Sequence, residues 1–405
     1  MKNKLLLLNC SLVCALMCMD ARNVTAQVVG VDAYMQGNSV EIGISGAGGF
    51  EGAPADSTTV PAGMHFRSNN PYFGFVANPQ LNSWSTFDGD FFTPGTPENG
   101  WGFEIDTTGG VSIGNNCASL QQIPGSITSW ASTAGTISTE WDGDANSGTD
   151  LHFKINYNLG VSDLFYITTV SITNNTTATI PNLYYYRNID PDNNVVLSGD
   201  YTTTNNLVSQ IGLGDPYTSV TASASTPWNS FFDLLSVDTN WVAGYGGFSN
   251  RDGSDMYYGS GFTQTPGATN FADEAIYLAY KVNNLAPSAT QTFKFASVFS
   301  YTAVSDAITA LGLSTVGIND LAVTNALTVY PNPLKDHAVV NINKSIVLSN
   351  ARFVIYDILG KEIRTIADIT SHELTIDRNN IADGMYVYKL FNRGEVIGTG
   401  KLIIK

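Results

Sequence analysis

The stretch LHFKINYN, residues 151–158, alternates strictly: Leu151, Phe153, Ile155 and Tyr157 fall on one side of an extended chain, and His152, Lys154, Asn156 and Asn158 on the other. Successive side chains of a strand point to opposite faces, so this stretch reads as a strand with one buried and one wet face, the pattern of an antiparallel sheet. The same reading extends to LFYITTVSIT (164–173), with Leu164, Tyr166, Val170 and Ile172 on one side. It extends to AIYLAYKV (275–282), with Ile276, Leu278, Tyr280 and Val282, and to TFKFASVF (292–299), with Phe293 and Phe295. Turn-forming clusters separate such runs, among them Gly46-Ala47-Gly48-Gly49, Asn174-Asn175 and Gly246-Gly247. One helix is predicted, SDAITALG (305–312), with Ser305 as its N-cap and Gly312 at its end. The chain is therefore expected to be all-β: a large antiparallel sandwich over residues 27–312, a linker over 313–325, and a small immunoglobulin-like sandwich over 326–405.

Composition supports a packed core. Only 13% of the 405 residues are charged while 43% are hydrophobic, too apolar a mixture for disorder. Residues 1–26 stand apart. Lys2 and Lys4 precede the apolar run LLLLNCSLVCALMCM, and Val24-Thr25-Ala26 offers small residues for a signal-peptidase cut before Gln27. No other stretch approaches transmembrane length. Cys10, Cys14 and Cys18 leave with this leader, so Cys117 remains alone and no internal disulfide is available. Stability outside the cell must then come from core size and, as one option, from bound metal ions. Residues 27–318 carry 25 acidic against 6 basic side chains, a net −19, whereas residues 319–405 carry 9 against 10, a net +1. Such a body repels nucleic acid and anionic membranes, leaving divalent cations and neutral glycans as the fitting ligands.

The charge break coincides with a motif series. YPNP (330–333), VIYDILGKEI (354–363), GMYVYKL (384–390) and GKLIIK (400–405) follow one another to the last residue. Pro331 and Pro333 fix an extended turn, Gly360 and Gly384 suit tight turns, and Tyr386, Tyr388 and Leu402-Ile403-Ile404 fit a sandwich core. In this order the segments resemble the C-terminal sorting domain of type IX secretion substrates. The resemblance assigns the sorting motif to Tyr330, Pro331, Asn332, Pro333, Gly360, Gly384, Tyr386 and Lys401. It implies the type IX secretion machinery as partner, and a product secreted or held at the outer-membrane surface of a Gram-negative bacterium. Residues 151–310 are similar to secreted β-sandwich or supersandwich domains of unassigned role. FYITTVSITNNTTATIPNLYYYRNIDPDNN and APSATQTFKFASVFSYTAVSDAITAL carry that likeness, which brings no catalytic residues with it.

Within the body, WDGDANSGTD (141–150) places Asp142, Asp144, Asn146 and Asp150 at positions 1, 3, 5 and 9 of a potential Ca2+ loop. Ser147 stands where such a loop wants glycine, and no glutamate closes it, so a polar turn is the competing reading. RNIDPDNN alternates Asp190, Asp192 and Asn194, a second candidate for Ca2+. Glu104 and Glu140 each lie near tryptophan, where an apolar setting raises a carboxyl pKa and suits a general acid, so they are the candidate catalytic pair. Tyr184-Tyr185-Tyr186 and Tyr257-Tyr258 are either core residues or rings for stacking on sugars. No nucleotide cradle or Cys-His pair is present, and GAGG at 46–49 reads as a loop. The expectation is an exported, non-enzymatic protein for adhesion, matrix or glycan binding, with an exported glycan hydrolase using acidic residues as the alternative.

Overall fold

The computed structural model describes residues 25–313 apart from 67–70, 79–98, 107–111, 118–119, 146–148, 193–194, 225–229, 249–250 and 260–263. It also describes residues 327–405 apart from 345, 347, 358–360, 380 and 393–394. The apolar leader and most of the expected linker lie outside the described residues.

The chain is nearly all β, and its sheets are antiparallel. In the body, the hairpin order Gly125–Ser132, Thr136–Ala145, Leu151–Gly160 and Phe165–Asn174 opens a nine-stranded sheet. Thr290–Val298, Ser230–Ser236, Thr218–Ala224, Thr203–Ser209 and Thr269–Ala272 complete it. A six-stranded sheet runs Trp241–Tyr245, Ile276–Leu285, Ile180–Ile189, Asn99–Ile105, Ile113–Asn116 and Leu120–Gln121. The two face each other across one apolar core. Trp101 lies 5.0 Å from Phe153, Tyr280 4.1 Å from Phe293, and Trp241 5.7 Å from Phe295, measured between ring centres. A four-stranded sheet (Thr25–Val29, Asp32–Gln36, Val40–Ile44, Phe75–Ala77) adds Met35, Ile42, Ile44 and Phe75 to the same core.

LHFKINYN behaves as its alternation dictates: its odd-numbered residues are buried and its even-numbered ones partly or fully exposed. AIYLAYKV does not. Its strand, Ile276–Leu285, is buried on both faces from Ile276 to Tyr280, because the helix Gly253–Tyr258 covers the outer side with Met256 against Tyr186, Tyr277 and Ala279. The predicted closing helix is Val304–Ala310, entered through a 3-10 turn at Tyr301–Ala303. Ser305 is not its cap. Ser300 caps the preceding turn by accepting from the Thr302 N–H, while Gly312 takes the left-handed φ of 102° expected of it. This helix buries Val304, Ala307 and Ile308 against Phe165, Leu235, Ala296 and Val298, on the outer side of the nine-stranded sheet.

Inside the sandwich lies a segment with no regular structure. Residues 46–51, marked by the sequence only as a glycine-rich loop, are buried, apart from a half-buried Ala47. The indole N–H of Trp141 donates to the Gly46 carbonyl (2.8 Å) and that of Trp101 to the Gly48 carbonyl (2.9 Å). The Tyr157 hydroxyl donates to the Gly49 carbonyl (2.8 Å). A Cβ on Gly46 would stand 1.7 Å from the Val31 carbonyl oxygen, and one on Gly49, where φ is 59°, 2.6 Å from the Trp141 ring. Glycine is therefore required for the close approach and not only for a turn.

The tail forms its own small sandwich. Three strands (Leu327–Tyr330, His337–Ile342, Glu373–Asp377) and four (Glu362–Ile369, Ala351–Tyr356, Gly384–Asn392, Glu395–Ile404) enclose Leu334, Val340, Phe353, Tyr388, Leu390 and Leu402. Glu362–Ile369 is a strand that the sequence pattern missed, because its largely exposed edge position and two register shifts blur the alternation.

Asp233 is buried on the nine-stranded sheet, with its carboxylate accepting from the Ser219 hydroxyl at 2.8 Å. Burial pushes its carboxyl up to about 8, which the serine offsets only in part. The folded state thus holds a proton that the unfolded chain releases near pH 4, so this residue costs stability increasingly as pH rises from about 4 to about 8. Asp233→Asn removes that cost. Thermal unfolding at pH 5 and pH 8 should show the variant gaining on the wild type with rising pH; an equal difference at both pH values would show that Asp233 is not protonated in the fold.

Candidate functional site

The outer face of the six-stranded sheet carries a constructed polar-aromatic patch. The helix Gly253–Tyr258 begins at Asp252, whose side chain accepts from the Asp255 N–H, and ends at Gly259 with φ 73°. Glu104, on Asn99–Ile105, holds this helix to the sheet by accepting from the Ser254 N–H (2.7 Å) and the Ser254 hydroxyl (3.2 Å). Its carboxyl is raised, chiefly by burial. The helix delivers Tyr258 to the surface, with 62% of its area exposed. Lys281 Nζ donates to the Tyr258 hydroxyl oxygen at 2.7 Å, and the Tyr184 hydroxyl lies 3.1 Å from it. These two contacts push the Tyr258 phenol below its ordinary pKa, while burial pushes Tyr184 above. The Tyr184 and Tyr257 rings stand 5.8 and 5.3 Å from that of Tyr258, both at steep angles. Nearby on the same sheet, Asn182 donates to Asp106 at 2.6 Å.

The structure separates the two glutamates chosen from sequence. Trp101 and Trp141 meet edge to face in the core, 5.7 Å apart. Glu104, three residues after Trp101, and Glu140, immediately before Trp141, therefore point away from the core on opposite sides of the sandwich. Glu104 lies under the helix, and Glu140 pairs with Lys154 at 3.1 Å across the nine-stranded sheet. They do not form a catalytic pair. The rings divide likewise. Tyr185 enters the main core and Tyr186 the layer beneath the helix, and Tyr184 is also buried. Of these five tyrosines only Tyr258 presents its ring widely to solvent.

The loop read into WDGDANSGTD is a strand for its first half. Asp142 and Asp144 belong to Thr136–Ala145 and stand opposite Lys154 and His152. Asp144 contacts His152 Nδ1 at 2.9 Å, and Asp142 lies 3.7 Å from Lys154 Nζ. An extended backbone sends alternate carboxylates along one face instead of wrapping them around an ion, and Lys154 already supplies positive charge beside Asp142. Asp150, with φ 43°, is exposed. Asn146 lies outside the described residues.

RNIDPDNN fares differently. Asp190 and Asp192, both buried, converge with Asp273, so that one oxygen of each lies within 4.8 Å of the others. Burial first, and then the Asp273 carboxylate, raise the Asp192 carboxyl to about 7. Asn194 lies outside the described residues. Asp273, in FADE (271–274), was missed by sequence reading because it is 81 positions from Asp192 and belongs to no local motif.

In the tail, Asn332 accounts for the YPNP turn. Its side chain donates to the Lys401 carbonyl (2.7 Å) and accepts from the Ile403 N–H (2.9 Å), tying the turn to the final strand. Pro331 and Pro333, both preceded by cis peptide bonds, flank it, and Tyr330 is exposed. Tyr386 is buried and donates to the Ala382 carbonyl at 2.9 Å, while the Lys401 side chain is exposed. Gly384 opens its strand with room for a Cβ, so no tight approach demands glycine there. Gly400 does meet that demand, since its Cβ would lie 2.2 Å from the Tyr388 hydroxyl. Gly360 lies outside the described residues.

Comparison with known proteins bears on the tail directly. Residues 328–405 match the family model described as the secretion system C-terminal sorting domain. The chain is accordingly a type IX secretion substrate, an exported protein. No curated protein matches the chain. Among solved structures, heparan sulfate lyase HepC from Pedobacter heparinus is 8% identical over 69% of this chain and 37% of its own, with a TM-score of 0.33. A polysaccharide lyase is 10% identical over 94% and 47%, at 0.32. The GH36 α-galactosidase AgaB from Geobacillus stearothermophilus is 6% identical over 70% and 42%, at 0.35. The chain thus spans less than half the length of these structures, and likeness at that level carries no functional argument.

The Tyr258 geometry has a spectroscopic consequence. In an absorbance titration, the lowest-ionising phenol should vanish in Tyr258→Phe and move upward in Lys281→Met. A Lys281→Met titration identical to wild type would show that the lysine does not hold the phenol down.

Proposed function

We propose that the chain is an exported glycan-binding protein of the cell surface or its surroundings, whose body binds a neutral polysaccharide without cleaving it. The observation that carries this reading is the exposed Tyr258 ring. Lys281, Tyr184 and Tyr257 hold it in one orientation, so an apolar sugar face could stack on it at little cost in side-chain entropy. Asp106 and Asn182 on the same sheet offer the polar groups that fix a sugar's hydroxyls. The body's net −19 selects against anionic chains. A hydrolase built on Glu104 and Glu140 would need them about 5–10 Å apart in one cleft, and they face opposite sides.

One feature favours a second, catalytic reading: a phenol held below its usual pKa beside a lysine is a candidate proton acceptor. Two substitutions separate the readings. Stacking needs the ring, so Tyr258→Ala should weaken binding on a neutral-glycan array about tenfold or more, a loss of roughly 1.4 kcal/mol, while Tyr258→Phe should bind nearly as wild type. Proton transfer needs the hydroxyl, so a wild-type protein that cleaves an array glycan, with Tyr258→Phe inactive, would overturn the binding reading. Retention of every array signal in Tyr258→Ala would remove Tyr258 from the site.

A further inference from the structure

We infer that Asp190, Asp192 and Asp273 form a Ca2+ site that pins the junction between the nine-stranded and six-stranded sheets. The inference is independent of the glycan reading and of Tyr258.

The strand register creates the cluster. Ile180–Ile189 runs antiparallel to Ile276–Leu285 with Ile180 opposite Leu285 and Ile189 opposite Ile276. Asp190 follows Ile189 directly and Asp273 lies three residues before Ile276, so the cluster forms where this pairing ends. Asp273 belongs to the short connection between Thr269–Ala272, the edge strand of the nine-stranded sheet, and Ile276–Leu285 in the six-stranded one. Like charges brought this close repel, and burial strengthens the repulsion.

A second observation points to a ligand. Asp192 is only 5% exposed, and its Oδ1 is buried without a hydrogen-bond partner. A carboxylate oxygen left so costs the full loss of its hydration. One oxygen from each of the three side chains lies within 4.8 Å of the other two, inside the span of about 5 Å that oxygens on opposite sides of a Ca2+ ion reach at 2.3–2.6 Å each. Hard anionic oxygens select a hard cation. Three carboxylates from two chain segments, one of them on an exposed residue, leave positions for water, which suits the flexible coordination of Ca2+ better than the strict octahedron of Mg2+. A cation here would convert a repulsive junction between the sheets into a cross-link, in a chain whose body keeps a single cysteine.

The test uses the secreted protein freed of metal by chelator. Isothermal titration with CaCl2 should show one site, and CaCl2 should raise the melting temperature by several degrees, reversibly with EGTA. Asp192→Asn and Asp273→Asn should each weaken Ca2+ at least tenfold. In chelator, both variants should melt at or above the wild type, because removing one charge relieves the repulsion; in CaCl2 they should melt below it. This crossing distinguishes a metal site from a merely structural cluster and shows that the variants fold. Absence of a calcium heat and of a melting shift in the wild type would overturn the site. So would a calcium response unchanged in both variants.

Discussion

Three sheets of the body meet at one buried ion pair. Arg187 sits on the six-stranded sheet, 3% exposed, and its Nη2 donates to Glu51 Oε2 at 2.5 Å. Glu51 ends the buried segment that leaves the strand Val40–Ile44 of the four-stranded sheet, and it bridges back to Ile44. Its other oxygen accepts from the Tyr166 hydroxyl, which belongs to the nine-stranded sheet, at 2.5 Å. The rest of the guanidinium is occupied by the Asn99 side chain (2.7 Å) and the carbonyls of Gly100 and Asn188 (2.9 and 2.6 Å). A buried ion pair stabilises only when its remaining donors and acceptors are satisfied, and here the surrounding groups do so. The buried residues 46–51 depend on the same arrangement. Their carbonyls would be costly inside the core without the donors from Trp101, Trp141 and Tyr157. Those donors come from both large sheets, so the ion pair and the glycine segment together set how the sheets are placed.

This arrangement also determines what the surfaces can do. With Trp101 and Trp141 engaged inside, the neighbouring carboxylates Glu104 and Glu140 are sent to opposite outer faces. One became a fastening for the helix that presents Tyr258; the other joined a polar ladder with Lys154, Asp142, Asp144 and His152. Both carboxylates therefore lie on the outer layers of the body and not in its core. The tail contributes a different thing: a compact near-neutral sandwich, closed by Asn332 onto the last strand, that serves as an export address.

What the sequence made legible follows from how local each signal is. The alternation of LHFKINYN sufficed because its outer face is wet. At AIYLAYKV and Tyr184-Tyr185-Tyr186 a covering helix buries both faces, and periodicity then loses its meaning. Asp142 and Asp144 had the spacing of a calcium loop, but strand pairing to Leu151–Gly160 overrode it. Asp190 and Asp192 were visible as a pair, whereas Asp273 joins them only through strand register. The role of Gly46, Gly48 and Gly49 could not be read at all, since it depends on side chains 53 to 108 residues away in the chain. The sorting tail was the most legible element because its motifs are local and occur in fixed order.

Glu51 and Arg187 act as one unit in joining the sheets, and a double-mutant cycle measures that directly. Glu51→Gln, Arg187→Met and the double variant are compared with wild type by denaturant unfolding of the secreted protein. Each single change strands a buried polar or charged partner and should cost about 3–5 kcal/mol. The double variant should cost well under the sum of the two, with a coupling energy above about 1 kcal/mol. Strictly additive losses, or single variants as stable as wild type, would contradict the account.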